Sequence, residues 1–208
     1  MGTDDKDRRD EIADAATGVF LRYGFKKTSM DDLARAADIS RQGLYLHFKT
    51  KDTLFEAALR RMVSQTQTAA HAVLDRDDLD VEQRLLGAFE TFQGRGIGSA
   101  DSENMNELLQ TATSIGGSLV HEMEQDFVRG VAELLTRTGV AAAWKGTGVT
   151  AKELAEHLYA TSSGIKHAVT TPAAYRARMR TAVKIVTSGA LTQTGQAPNV
   201  TQPSGELT

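Results

Sequence analysis

A chain of 208 residues, 40% hydrophobic and 25% charged, is long enough to bury a sizeable core and has the composition of an ordinary globular protein. It has no cysteine, which excludes disulfides and thiolate chemistry and fits a reducing, cytoplasmic setting. A formal net charge of −3 argues against a general nucleic-acid coat protein. The charge is unevenly placed, however. Between Arg22 and Lys51 seven basic residues face three acidic ones, a net of +4 that leaves −7 for the remainder. A basic patch on an acidic body suits a chain that touches a polyanion with one end. The first twenty residues lack the apolar stretch of a signal peptide, and no apolar run approaches the roughly 18 residues that span a bilayer, so no membrane partner is expected.

The expected elements follow in chain order. Ile12, Ala16, Val19, Phe20 and Tyr23 recur on one helical stripe, and Gly24 ends it. Thr28 or Ser29 can cap a second helix through Leu33, Ala34 and Ala37, with Asp31 or Asp32 completing a weaker capping box. Asp38-Ile39-Ser40 reads as a turn, and Ser40 caps a two-turn helix over 41–47 with Leu44 and Phe48 inward. A long helix follows from near Thr50 to Leu74, apolar early at Leu54, Phe55, Ala58, Leu59 and Met62. Asp80 with Gln83 opens the next, a glycine-bearing loop spans 93–101, and Met105, Leu108, Leu109 and Ala112 mark another helix. A helix with Leu119, Met123, Phe127, Val131 and Leu134 precedes a loop over 139–149 that holds Trp144. Thr150 with Glu153 opens one helix, and Thr171-Pro172 opens the last. The fold class is therefore all-α, with a helix-turn-helix module over 1–52, a helical body over 53–192 and a disordered tail over 193–208.

The functional signal lies in residues 28–51. A helix, a tight turn and a short helix with a polar outer face make a helix-turn-helix, which lays its second helix in the major groove of double-stranded DNA. Arg41 can fork onto guanine and Gln42 onto adenine, while Gly43 lets the backbone approach a thymine methyl or a sugar. Tyr45, His47 and Lys51 are expected on phosphates, and Thr28 and Ser29 sit where free helix N–H groups favour phosphate. Burial is the alternative for Tyr45.

These residues resemble the TetR family of bacterial regulators. The resemblance rests on Gly24, Thr28-Ser29, Leu33-Ala34, Ala37, Ser40, the run Leu44-Tyr45-Leu46-His47-Phe48, and Lys51. It covers roughly Arg8 to Leu59. Asp38 stands where the family usually has glycine, and Gln42-Gly43 departs from the commoner pairs, so no operator sequence carries over. The resemblance implies a homodimer whose C-terminal domain binds a small-molecule effector that releases a repressor from a pseudo-palindromic operator. By position, the last two helices form the dimer interface, with Ala160, Ser163, Gly164, Ala182, Val186 and Gly189 in close contact. An apolar pocket is expected among Phe89, Phe92, Met105, Met123, Phe127 and Trp144, though residues at such helical spacing are more often core than ligand wall.

Two rivals stay open. One is a DNA-binding dimer that needs no ligand. The other is a small helical enzyme or metal protein, which would need a convergent set of histidines or carboxylates that the spacing does not supply. No enzyme activity, catalytic residue, cofactor or metal is expected.

Overall fold

Six of the described helices start at a side-chain cap that satisfies one of the first free N–H groups. The computed structural model describes residues 3–94, 97, 108, 111, 114 and 117–189. The described helices are α1 (Thr3–Tyr23), α2 (Met30–Ala36), α3 (Arg41–His47), α4 (Lys51–Leu74), α5 (Val81–Gln93), α6 (Leu119–Arg137), α7 (Val140–Ala143), α8 (Ala151–Ala168) and α9 (Pro172–Ser188). No strand occurs among the described residues, and none of their helices is long and apolar enough to cross a membrane. Residues 108, 111 and 114 are helical. The expected tail over 193–208 lies outside the described residues.

The caps are local chemistry. Ser29, Thr50, Asp80 and Thr150 each form a reciprocal capping box, and Ser40 and Thr171 each accept one backbone N–H. The expected loop over 139–149 instead holds α7 and a 3-10 turn at Lys145–Thr147. Trp144 anchors it by donating from Nε1 to the Val186 carbonyl at 2.9 Å.

Two apolar cores result. The first gathers Ile12, Ala16 and Phe20 of α1, Leu33 of α2, Leu44 of α3, Phe48, and Leu54, Phe55, Leu59 and Val63 of α4. Phe20 meets Phe55 edge-on at 5.1 Å, and Phe25 closes the trio at 5.0 Å from Phe55. The second core gathers Ala70 and Leu74 of α4 with α5, α6, α8 and α9 around Phe89, Phe127, Leu134, Leu158 and Tyr175. Helix α4 thus contributes its first half to one core and its last turns to the other. An expected boundary after residue 52 falls at its start, and each fully buried leucine or phenylalanine on it adds roughly 1.5–3 kcal/mol to one core or the other. Tyr23 departs from the expected stripe: it is 50% exposed.

Candidate nucleic-acid interface

The geometry begins with how α2 is seated. Gly24 has a φ of +79°, the left-handed turn that ends α1, and its N–H donates to the Phe20 carbonyl. The chain then folds back so that the Thr28 hydroxyl donates to the Gly24 carbonyl at 2.7 Å, with Thr28 only 2% exposed. The Thr28 hydroxyl is therefore engaged within the fold. Ser29 is the cap of α2: it accepts from the Asp32 N–H, and its own N–H donates to the Asp32 carboxylate at 3.0 Å. The Ser29 hydroxyl, which donates to that carboxylate, and then the Ser29 N–H hold the Asp32 carboxyl below its usual range. The two acids of that first turn already complement the helix dipole.

Asp38 occupies the turn at a φ of +52°, the left-handed conformation in which the family's glycine is at ease. Ile39 follows, half-buried, and its N–H reaches the Ala34 carbonyl at 3.0 Å. Ser40 then accepts the Gly43 N–H at 3.0 Å and starts α3.

Leu44 (0% exposed) and Phe48 fix the inward side of α3. Arg41 and Gln42 are exposed. Gln42 makes no hydrogen bond among the described residues. Arg41 lies 3.1 Å from the Asp31 carboxylate and 5.7 Å from the centre of the Tyr45 ring. Its guanidinium is held charged first by Tyr45 and then by Asp31. Tyr45 is half-buried beneath it. The Nδ1 of His47 is 3.4 Å from the Asp5 carboxylate, and the His47 carbonyl accepts from Arg9, whose guanidinium also covers the Phe48 ring. The start of α1 thereby braces the end of α3, a role for Asp5 and Arg9 with no local signal in sequence.

Lys51, expected on a phosphate, is engaged within the chain. Its Nζ donates to the Phe25 carbonyl at 2.9 Å and to the Thr28 carbonyl at 3.0 Å, over the Phe25 ring. Two of its three protons tie α4 to the α1–α2 connection instead of facing outward. The residue that reasoning from sequence missed is Leu46, 74% exposed on α3. Its spacing of two from Leu44 was the available signal.

The residues expected to line one pocket do not converge. Phe127 meets Phe89 edge-on at 5.0 Å and stacks on Phe92 at 4.0 Å, so these rings fill the space between them. Met123 packs against the first core, Trp144 belongs to the far end beside Val186, and Met105 lies outside the described residues. An open groove of about 1040 Å³ does run between α6 and α8, floored by Val128, Ala132 and Tyr159. Burial, then Glu124, pushes the Tyr159 phenol up.

Of the residues expected at a dimer interface, Ala160 and Gly164 are exposed. The other four face inward or have partners within the chain. Val186 is 2% exposed, Ala182 packs on the second core, Ser163 accepts from Gln93 at 2.9 Å, and Gly189 lies against the Trp144 ring. The outward line of α9 instead carries Ala173, Ala177, Thr181 and Ile185, the last 60% exposed. Among the described residues no group of three or more His, Asp or Glu could hold a metal ion.

A capped helix, a tight turn and a short helix with exposed Arg41 and Gln42, joined by a long helix to an all-α body, make a helix-turn-helix arrangement. Comparison with known proteins agrees. Residues 12–58 match the model of bacterial regulatory proteins of the tetR family. The transcriptional activator FasR of Mycolicibacterium smegmatis is 36% identical over 86 residues, 41% of this chain and 39% of that protein. The negative regulator of the biofilm operon, IcaR, of Staphylococcus aureus is 24% identical over 140 residues, 57% of this chain and 75% of its own. The match thus spans well under half of FasR. A TetR-family regulator from Pectobacterium atrosepticum superposes with a TM-score of 0.63 at 21% identity, over 91% of this chain and 97% of its own. The fatty acid degradation regulator FadR of Bacillus halodurans gives 0.63 at 16% identity, over 91% and 97%. Residues 12–58 are thus similar to the DNA-binding region of the tetR family, and the chain shares its all-helical fold with regulators of that family.

Proposed function

We propose that the protein regulates transcription as a homodimer that binds a pseudo-palindromic operator and is released from it by a small molecule. One observation carries the DNA reading: Leu44 and Phe48 anchor α3 from within, leaving Arg41, Gln42 and the bare Gly43 backbone on the outside. Arginine and glutamine there suit guanine and adenine edges in the major groove, with two heads about 34–36 Å apart on successive grooves. Tyr45 and His47 would flank this face, toward the phosphates, and Ser29 would lie nearest the backbone at α2.

In this reading the head is followed by a body that dimerises through α8 and α9. Support comes from the exposed Ile185 set among Ala173, Ala177 and Thr181, beside Ala160 and Gly164 of α8. Such small side chains allow close helix approach. The α6–α8 groove, apolar at its floor and polar at its rim, supports an effector of mixed character. Repression is our choice over activation, and the named relatives include one of each kind. The packing of Phe127 edge-on against Phe89 and stacked on Phe92 favours a second reading, a dimer that responds to no ligand.

The test is binding to duplexes enriched by the protein from a random library. Arg41→Ala should weaken the enriched duplex by about 1–3 kcal/mol and relax preference at one base pair. Unchanged affinity and preference would remove Arg41 from the reading face. Ile185→Glu should yield a monomer by light scattering and abolish tight binding to a two-half-site duplex. A dimer that survives the charge would place the interface elsewhere.

A further inference from the structure

We infer that Leu46 reads sequence, by packing its side chain against the C5 methyl of a thymine in the operator. The inference rests on the DNA-binding reading above and adds a base contact to it. Leu46 is 74% exposed, more than Tyr23 at 50% or Ile185 at 60%, the other large hydrophobics exposed among the described residues. A lone exposed leucine is ordinary on a protein surface. Its position makes this one informative.

In an α-helix each residue turns about 100°, so Leu46 lies about 200° round α3 from Leu44, which is 0% exposed. Leu44 and Phe48 point into the core, so Leu46 occupies the outermost line of the helix. Gln42 stands one turn before it on nearly the same line. Gly43, three residues before, offers no side chain there, and its N–H is already bonded to Ser40 Oγ. Arg41 and Tyr45 lie to one side, leaning on each other and on Asp31. The centre of the face is therefore an amide, a stretch of bare backbone and an isobutyl group.

That order matches one kind of step in the major groove. An A·T pair offers glutamine a bidentate site on adenine N6 and N7, and thymine offers the one apolar group on any base edge there, its C5 methyl. Side chains at i and i+4 stand about 5–6 Å apart, and successive base pairs about 3.4 Å. Leu46 therefore meets a thymine one or two base pairs from the adenine that Gln42 reads. A leucine pressed on a polar edge, or left in water over the groove, gains nothing, so the contact discriminates by burial alone.

Substituting deoxyuridine for thymine removes only the methyl and tests this directly. The probe is the duplex enriched from the random library, with each thymine replaced in turn. Wild-type protein should lose about three- to fivefold in affinity per half-site at one thymine, within two base pairs of an adenine whose replacement matters in the Gln42→Ala comparison. Leu46→Ala should bind the thymine duplex weaker by a similar factor and be indifferent to that replacement. The substitution lies outside both cores, so its thermal midpoint should match the wild type. Two results overturn the inference while leaving DNA binding intact: an enriched duplex with no methyl-sensitive thymine, or a methyl effect undiminished in Leu46→Ala. Failure of the wild-type protein to enrich any sequence overturns the DNA reading and this inference with it.

Discussion

Lys51 separates a DNA role from a folding role. Replacing it by methionine keeps the aliphatic stem and removes the ammonium. In the free protein that ammonium donates to the Phe25 and Thr28 carbonyls at 2.9 and 3.0 Å and lies 4.3 Å from the Phe25 ring centre. Hydrogen bonds from a charged donor are each worth roughly 1.5–3 kcal/mol, and water reaching this half-buried site replaces part of that, so the loss should be about 2 kcal/mol. For a chain of this length that lowers the thermal midpoint by roughly 4–8 °C. The salt dependence of operator binding should not change, because a phosphate contact contributes about 0.9 to the slope of log K against log salt and Lys51 makes none in this arrangement. Thermal unfolding by circular dichroism and a salt series by fluorescence anisotropy, the latter run well below the variant's midpoint, measure the two quantities separately. A midpoint within about a degree of the wild type, with a slope smaller by about one, would refute the argument. It would mean that Lys51 leaves the two carbonyls and serves the DNA backbone.

Two further outcomes bear on how α4 joins the body. In Gly130→Ala the added carbon would lie 2.6 Å from His71 Cε1 and 3.2 Å from Leu74 Cδ1. The overpacking, about 1–3 kcal/mol, should exceed the roughly 1 kcal/mol that alanine gains over glycine in a helix, so the thermal midpoint should fall; a rise would mean that His71 swings clear without loss. Asp126, bonded to His71 at 2.8 Å and to Arg129, is pushed up by burial, but those two partners more than reverse it and its pKa is lowered. Its contribution to stability is therefore complete above the ordinary carboxylate pKa and is lost as the pH falls through the lowered folded value. The gap in thermal midpoint between wild type and Asp126→Asn should be level near neutrality and should close below about pH 4; a gap that widens in acid would contradict the sign.

What the sequence determined by itself is local. Caps at Ser40, Thr50, Asp80, Thr150 and Thr171 and the inward stripes of α3, α4 and α6 follow from interactions three and four residues apart, which a linear sequence displays. A turn at Asp38 was legible as well, whereas its left-handed φ of +52° is a finding of the structure. Tertiary structure decided where long or bifunctional side chains go. Lys51 finds carbonyls 26 and 23 residues away, Trp144 a carbonyl 42 residues away, and Arg9 a carbonyl 38 residues away. No periodicity encodes such partners, because they depend on which faces of which helices meet. The same holds for the outward face of α9. Ile185 and Val186 are adjacent and equally apolar, and only the crossing of α9 over the second core buries one and leaves the other exposed.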